Sequence, residues 1–237
     1  MTQSIVGAIV ALLGFRMLWA AVRRRTLAEA WIGLFFAASA LGSETGLRAF
    51  DPTLDPELAV RLLFIGIPAL TVSSLSAYAF TYTVFRRGER WARGVVLAGV
   101  LLSAWGAWHQ LHGPNGVADI SHLQVEFLLG RFACFAWGTY EALRAYGMAR
   151  RRRALGLADP VVVNRFLLFG IWFGLMGVMP LTLAWARFTA GTAGQMAAAG
   201  IGPKIIGMVM IVALVLTFFP PRKYVSWVLA SANEARS

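Results

Sequence analysis

Seven apolar segments run through the sequence, separated by short polar connections. They occupy residues 4–22, 28–47, 58–85, 91–111, 121–146, 161–188 and 200–219. Because roughly 20 apolar residues in helical form reach across the hydrocarbon core of a bilayer, each segment predicts a transmembrane helix. The sequence therefore predicts an all-α integral membrane protein, a seven-transmembrane-helix bundle that fills residues 1–221 as a single domain.

A short tail, residues 222–237, follows the last apolar segment. Two prolines stand at the junction and end the seventh helix, since proline cannot continue the helical hydrogen bonds. Apolar positions within the tail recur at helical spacing. They favour a short interfacial helix that turns Tyr224, Trp227 and Val228 toward lipid, and a frayed tail is the alternative.

Basic residues divide the connections into two groups. One group holds 16 of them: Arg23, Arg24, Arg25, Arg86, Arg87, Arg90, Arg93, Arg144, Arg150, Arg151, Arg152, Arg153, Arg165, Arg222, Lys223 and Arg236. The other group holds 4: Arg48, Arg61, Arg187 and Lys204. Because basic connections stay in the cytoplasm, we expect the N-terminus outside, the C-terminus cytoplasmic, and insertion in a cytoplasmic (inner) membrane.

Composition agrees with a membrane location and limits the partners. The chain is 58% hydrophobic and 14% charged, whereas soluble domains carry about 25% charged residues. The net charge of +11 lies at helix ends, which favours anionic lipid headgroups over nucleic acid. The run Arg150, Arg151, Arg152 and Arg153 is the strongest candidate for contact with lipid or with a cytoplasmic or membrane protein. The one cysteine, Cys134, permits no internal disulfide.

Motifs of membrane enzymes are missing from the sequence. It contains no GxSxG nucleophile pattern, no HExxH zinc-protease pattern and no Gly-rich phosphate loop. We therefore expect no enzymatic activity, no catalytic residue and no cofactor.

The fifth segment carries the charges that point most directly to a function. Arg131 lies deep in this segment, where an arginine costs about 3 kcal/mol or more unless it faces protein or water. We expect it to pair with a carboxylate, Glu44 first and Glu126 second. A ligand or ion pocket formed by these residues, with His122 and Trp108 toward its outer end, is one interpretation. A purely structural salt bridge is the other.

The three histidines, His109, His112 and His122, cluster toward the predicted outer side. Three imidazoles suit zinc or copper, so they form a candidate metal site. The alternative is that they are ordinary boundary residues beside tryptophans.

The third segment carries eight hydroxyl groups in its inner half. They are Thr71, Ser73, Ser74, Ser76, Tyr78, Thr81, Tyr82 and Thr83. Small and polar residues let helices approach closely, which predicts a central third helix. A hydrated path to the cytoplasm is the alternative.

A lysine in the last helix of a seven-helix plan resembles the retinal-binding proteins, in which that lysine carries the Schiff base. The resemblance implies Lys204 as a candidate Schiff-base lysine. Two features depart from the microbial family: Gly200 stands where an acid precedes the lysine by four residues, and residues 61–68 of the third segment contain no carboxylate.

These patterns predict a receptor-like or sensor-like membrane protein, with a small polar intramembrane pocket and a basic cytoplasmic face. A transporter or channel that uses Glu126, Arg131 and the hydroxyls of the third segment is the main alternative. A structural subunit of a membrane complex and a retinal-binding protein are the others.

Overall fold

The computed structural model describes residues 2–49, 53–112, 125–198 and 201–234, with side chains for 7–46, 48–49, 53–112, 125–182 and 206–230. Within these residues all regular structure is helical, which confirms the expected all-α fold. The eight described helices are α1 (Thr2–Arg24), α2 (Leu27–Ala49), α3 (Pro56–Phe85), α4 (Arg90–His112), α5 (Val125–Ala154), α6 (Pro160–Ala198), α7 (Ile201–Phe218) and α8 (Arg222–Glu234). Each predicted apolar segment overlaps one of the helices α1 to α7.

Aspartate caps determine where α3 and α6 begin. The Asp55 side chain accepts a hydrogen bond from the Leu58 N–H at 3.2 Å. The Asp159 side chain accepts one from the Val161 N–H at 2.8 Å. A proline follows each aspartate in the first helical position, where its missing N–H leaves no donor unpaired. The start of α6 at Pro160 is therefore readable from the sequence.

Helix α5 extends beyond the predicted end at 146, through the whole arginine run. The prediction was wrong there because arginine, although charged, is a good helix former. The helix ends at Ala154, and Gly156, two residues later in the turn, has a φ of 74°, which favours glycine. Two hydrogen bonds of 2.9 Å close this end, from the Gly156 N–H to the Arg153 carbonyl and from the Leu157 N–H to the Arg152 carbonyl.

Consecutive helices from α1 to α7 pack on one another, and α3 also packs on α5. Its contacts with α2, α4 and α5 give α3 a central position, as predicted, but α5 is equally central because it packs on α3, α4 and α6. The main core joins α1, through Met17, with α2, α3, α5, α6 and α7. Its largest fully buried rings include Phe35, Phe36, Phe135 and Phe173. Phe35 meets Phe135 edge to face with ring centres 6.0 Å apart, a favoured aromatic geometry.

Helices α1 and α4 each expose a stripe of large apolar side chains. On α1 the stripe consists of Leu12, Phe15, Trp19 and Val22. On α4 it consists of Leu97, Leu101, Trp105 and Trp108. Their spacing of three and four residues places each set on one helical face. Such continuous apolar faces are unfavourable in water and suit contact with lipid.

Three helical segments in the described residues are long and apolar enough to cross a membrane: Pro56–Phe85, Arg90–His112 and Pro160–Thr182. A fourth is added if Ile206–Phe218 and Arg222–Ala230, which meet at 81°, count as one bent span. These apolar helices and the two exposed stripes support a membrane protein.

The tail forms α8, which packs against α6. Val228 is buried, and the Tyr224 hydroxyl accepts a hydrogen bond from the Asn164 side-chain amide. The predicted lipid side is therefore wrong for these two residues, because the bundle supplies closer partners for them. Trp227 remains 65% exposed. The placement of α8 at a membrane surface stays a prediction.

Candidate functional site: polar contacts between α3 and α5

Arg131 connects α5 to the backbone of α3. Its guanidinium donates a hydrogen bond to the Leu70 carbonyl at 2.8 Å and a longer one to the Ser74 hydroxyl at 3.4 Å. The Arg131 guanidinium carbon also lies 5.8 Å from the centre of the Phe135 ring. Arg131 therefore faces the neighbouring helix, as expected for a charge deep in an apolar helix.

The contact lies at mid-depth of the bundle. Leu70 stands near the middle of the 30-residue helix α3, about 20 Å from either end at 1.5 Å per residue. The carbonyl is shared, because the Ser74 hydroxyl donates to it as well, at 3.1 Å. A carbonyl oxygen has two lone pairs, so both donors are accommodated.

The predicted pairing of Arg131 with a carboxylate is wrong for the described residues. None of their carboxylates forms a salt bridge with Arg131. Glu44 pairs instead with Arg48 at 3.0 Å, one turn along its own helix. Glu126 lies 3.6 Å from the Nδ1 atom of His109. The assumption that an arginine at this depth needs an acid failed because a backbone carbonyl and a hydroxyl accept hydrogen bonds from one of its terminal nitrogens instead.

The end of the bundle where α4 finishes, at His112, places the candidate histidines beside aromatic rings. His112 is exposed and stacks on Trp108 at 4.1 Å between ring centres, and Trp108 itself is 63% exposed. The His109 ring lies beside the Trp105 ring, with 6.1 Å between the ring centres. His122 lies outside the described residues, and no cluster of three metal-binding side chains occurs among those that are described. His109 and His112 thus lie beside tryptophans, the arrangement expected of boundary histidines, and both that interpretation and the three-histidine metal site stay predictions.

Most hydroxyls of α3 bond within the protein. Ser73 meets Ser39 of α2 at 2.6 Å between their oxygens. Four others donate to the carbonyl four residues earlier, namely Thr71, Ser74, Ser76 and Thr83. Hydroxyls used in this way favour helix packing over a hydrated path.

A second polar contact between α3 and α5 was not predicted. Arg86, the residue that caps the end of α3, lies against Glu141 of α5 with 2.8 Å between Nε and Oε1. The two side chains are only 9% and 3% exposed. The N–H does not point at the oxygen, so the attraction is ionic without an aligned hydrogen bond. The pair links α5 to the capping residue of α3.

The turn after α3 completes the surroundings of Arg86. Its guanidinium donates to Glu89 at 2.9 Å and lies 4.9 Å from the centre of the Trp91 ring. The Trp91 indole N–H also donates to Glu89. Hydrogen bonding from Arg86 holds the pKa of the Glu89 carboxyl below its usual value. Arg86 thus pairs with two acids, the buried Glu141 and the partly exposed Glu89.

Lys204 belongs to the first turn of α7, since this helix begins at Ile201. Its side chain lies outside the described ones, as does the backbone of Gly200. The Schiff-base role implied by the retinal-protein resemblance therefore stays a prediction.

The arginine run projects from the end of α5. Arg150, Arg151 and Arg152 are exposed, whereas Arg153 is half-buried. Arg153 borders a cavity of about 140 Å³ that is also lined by Tyr146, Val163, Asn164, Trp227 and Val228. The basic end of the bundle therefore contains a concave feature in addition to surface charge.

Protein-family models, curated proteins and solved structures were compared with the chain, and none of the three comparisons gave a match.

Proposed function

We propose that this chain is a seven-helix receptor-like or sensor-like protein of a cytoplasmic membrane, with its N-terminus outside and its C-terminus in the cytoplasm. The observation that carries the receptor-like role is the pair of polar contacts between α3 and α5. One lies at mid-depth around Arg131, and the other lies at the arginine-rich end, between Arg86 and Glu141.

Helix lengths support seven spans. Helices α1 and α2 have 23 residues each, about 35 Å at 1.5 Å per residue, against a hydrocarbon core of roughly 30 Å. Helix α5 carries three charges in its first 18 residues, Glu126, Arg131 and Glu141. Two of them bond to α3 or to its capping residue, so α5 has a polar side turned to protein, as spanning helices with charges require.

The basic residues support the orientation. Arg23 and Arg24 end α1, Arg86 ends α3, and the arginine run ends α5. Odd-numbered helices in an alternating bundle end on the same side, so these charges gather on one face. By the positive-inside rule that face is cytoplasmic.

A receptor needs a structural element that a ligand displaces at one depth of the membrane and that changes the structure at another depth. Arg131 and Glu141 are about 15 Å apart along α5 at 1.5 Å per residue, and both contact α3 or its end. A ligand that draws Arg131 away from the Leu70 carbonyl would change how α5 lies on α3, and the Arg86–Glu141 pair would transmit that change to the cytoplasmic turn.

The transporter alternative receives less support from the same geometry. A substrate path needs polar groups that face a cavity, whereas four of the α3 hydroxyls donate to carbonyls of their own helix. Glu126 lies against His109 rather than in line with Arg131.

The proposed relay, in which movement of Arg131 is transmitted through α5 to the Arg86–Glu141 pair, is tested by measuring the distance between the cytoplasmic ends of α3 and α5. Spin labels at Val84→Cys and Met148→Cys, both at exposed positions, report this distance by pulsed electron paramagnetic resonance in lipid nanodiscs. Native Cys134 is fully buried and so does not compete for the label. We expect Arg131→Met to shift the distance distribution by about 1–2 Å or to add a second population.

The variant is expected to fold, because no described carboxylate loses a partner. Leu129→Ala, an exposed position two residues earlier on α5, is the matched control and should leave the distribution unchanged. A distribution that is the same in Arg131→Met as in the parent would contradict a relay through Arg131.

A further inference from the structure

The cavity at the arginine-rich end lies where three helices meet. Its lining comes from α5 (Tyr146 and Arg153), α6 (Val163 and Asn164) and α8 (Trp227 and Val228). Its volume of about 140 Å³ is below the roughly 300–1,000 Å³ of sites for drug-sized molecules. It therefore suits a small group rather than a whole organic ligand.

Arg153 differs from its neighbours in the arginine run. It is half-buried and contributes to the cavity wall, whereas the other three arginines are exposed. Among the described carboxylates none forms a salt bridge with Arg153. A guanidinium presents donors in a planar fork that matches the oxygens of a phosphate.

Polar groups on the other walls add donors. Asn164 uses one amide N–H on the Tyr224 hydroxyl, which leaves its second N–H for a further acceptor. Tyr146 adds a hydroxyl to the lining. Trp227, exposed on α8, brings an amphipathic ring of the kind that lies at headgroup level in membranes.

We propose that this cavity is a binding site for a phosphate group, presented by the headgroup of an anionic lipid, with Arg153 as its main ligand. The lipid source rests on the proposed topology, because the end of α5 must then lie at the cytoplasmic headgroup layer. That layer is rich in anionic lipids. Bound there, the headgroup joins the ends of α5, α6 and α8.

The test is binding of phosphatidylglycerol to the purified chain, followed by native mass spectrometry. Phosphatidylcholine, whose phosphate is neutralised by its own choline cation, is the comparison without net charge. We expect Arg153→Gln to weaken phosphatidylglycerol binding about tenfold, the loss of one strong charge-assisted contact. Arg152→Gln is the matched control, with the same change of charge one residue earlier at an exposed position, and should weaken binding less than twofold. Arg153→Lys, which keeps the charge without the fork, should fall between parent and Arg153→Gln.

A titration with inorganic phosphate alone distinguishes a lipid headgroup from free phosphate as the source of the bound phosphate group. Phosphate binding that is lost in Arg153→Gln and kept in Arg152→Gln would support the site with a soluble occupant, and dependence seen only with phosphatidylglycerol would support the lipid. Equal losses in Arg153→Gln and Arg152→Gln would overturn the site, since they indicate diffuse attraction to surface charge. Topology reporters in cells are independent of this titration, so failure of the site is distinguishable from failure of the proposed topology.

Discussion

Glu141→Gln is expected to lower the free energy of unfolding by about 3 kcal/mol, the lower end of the range for removing one member of a buried ion pair. The substitution leaves Arg86 buried at 9% exposure without its nearest buried counter-charge. Glu89 still holds one side of the guanidinium, which is why the lower end applies. Unfolding in detergent, by heat or denaturant, measures the loss.

Glu57→Gln is the matched control for the same change of charge. Glu57 pairs with Arg61 at 2.6 Å, but both side chains are more than 70% exposed, and exposed pairs contribute little. The double variant Arg86→Met with Glu141→Leu should recover most of the stability, because no buried charge is then stranded. Equal losses for Glu141→Gln and Glu57→Gln would contradict a buried pair.

Gly106→Ala is expected to destabilise the bundle by about 1–3 kcal/mol, the usual cost of overpacking. A Cβ atom at Gly106 of α4 would lie 2.8–2.9 Å from the backbone of Glu126 and Phe127 in α5. Backbone atoms cannot rotate aside, so α4 and α5 would have to separate. Thermal unfolding in detergent measures the effect.

Gly94 offers the control on the same helix. A Cβ atom there meets nothing within 4 Å, and alanine is a better helix former than glycine. Gly94→Ala should therefore leave stability unchanged or raise it slightly. A Gly106→Ala protein as stable as Gly94→Ala would show that the two helices do not approach as closely as described.

The helical elements were readable from the sequence because long apolar runs between short polar connections permit few alternatives. The start of α6 was readable for a local reason, since Asp159 caps and Pro160 occupies the first turn. The end of α5 was not readable from charge alone. Four consecutive arginines suggest a loop, but helix propensity continues the helix to Ala154, two residues before Gly156 adopts a positive φ.

The candidate site was predictable in its location and not in its partners. Arg131 was singled out correctly as the charge within α5 that needs protein contacts. Its acceptor is a backbone carbonyl of α3, which every residue possesses, so no sequence pattern distinguishes Leu70 from its neighbours. Glu44 pairs with Arg48 on its own helix, because residues four apart lie next to each other on a helix surface.

The Arg86–Glu141 pair was missed because its members are far apart in sequence and only the packing of α3 on α5 brings them together. The one available signal was that Glu141 is an acid close to the arginine-rich end of α5. An acid among so many basic residues is a candidate partner for one of them, yet sequence alone does not show that Arg86 is the one buried beside it.

Topology reporters in living cells test whether the chain has seven spans and a cytoplasmic C-terminus. A reporter fused after Ser237 should read as cytoplasmic, and one inserted between Gly113 and Gly116, in the connection between α4 and α5, should read as external. The expectation follows from the 16 basic residues on one set of connections against 4 on the other. An external reading of the C-terminal reporter would contradict the seven-helix arrangement.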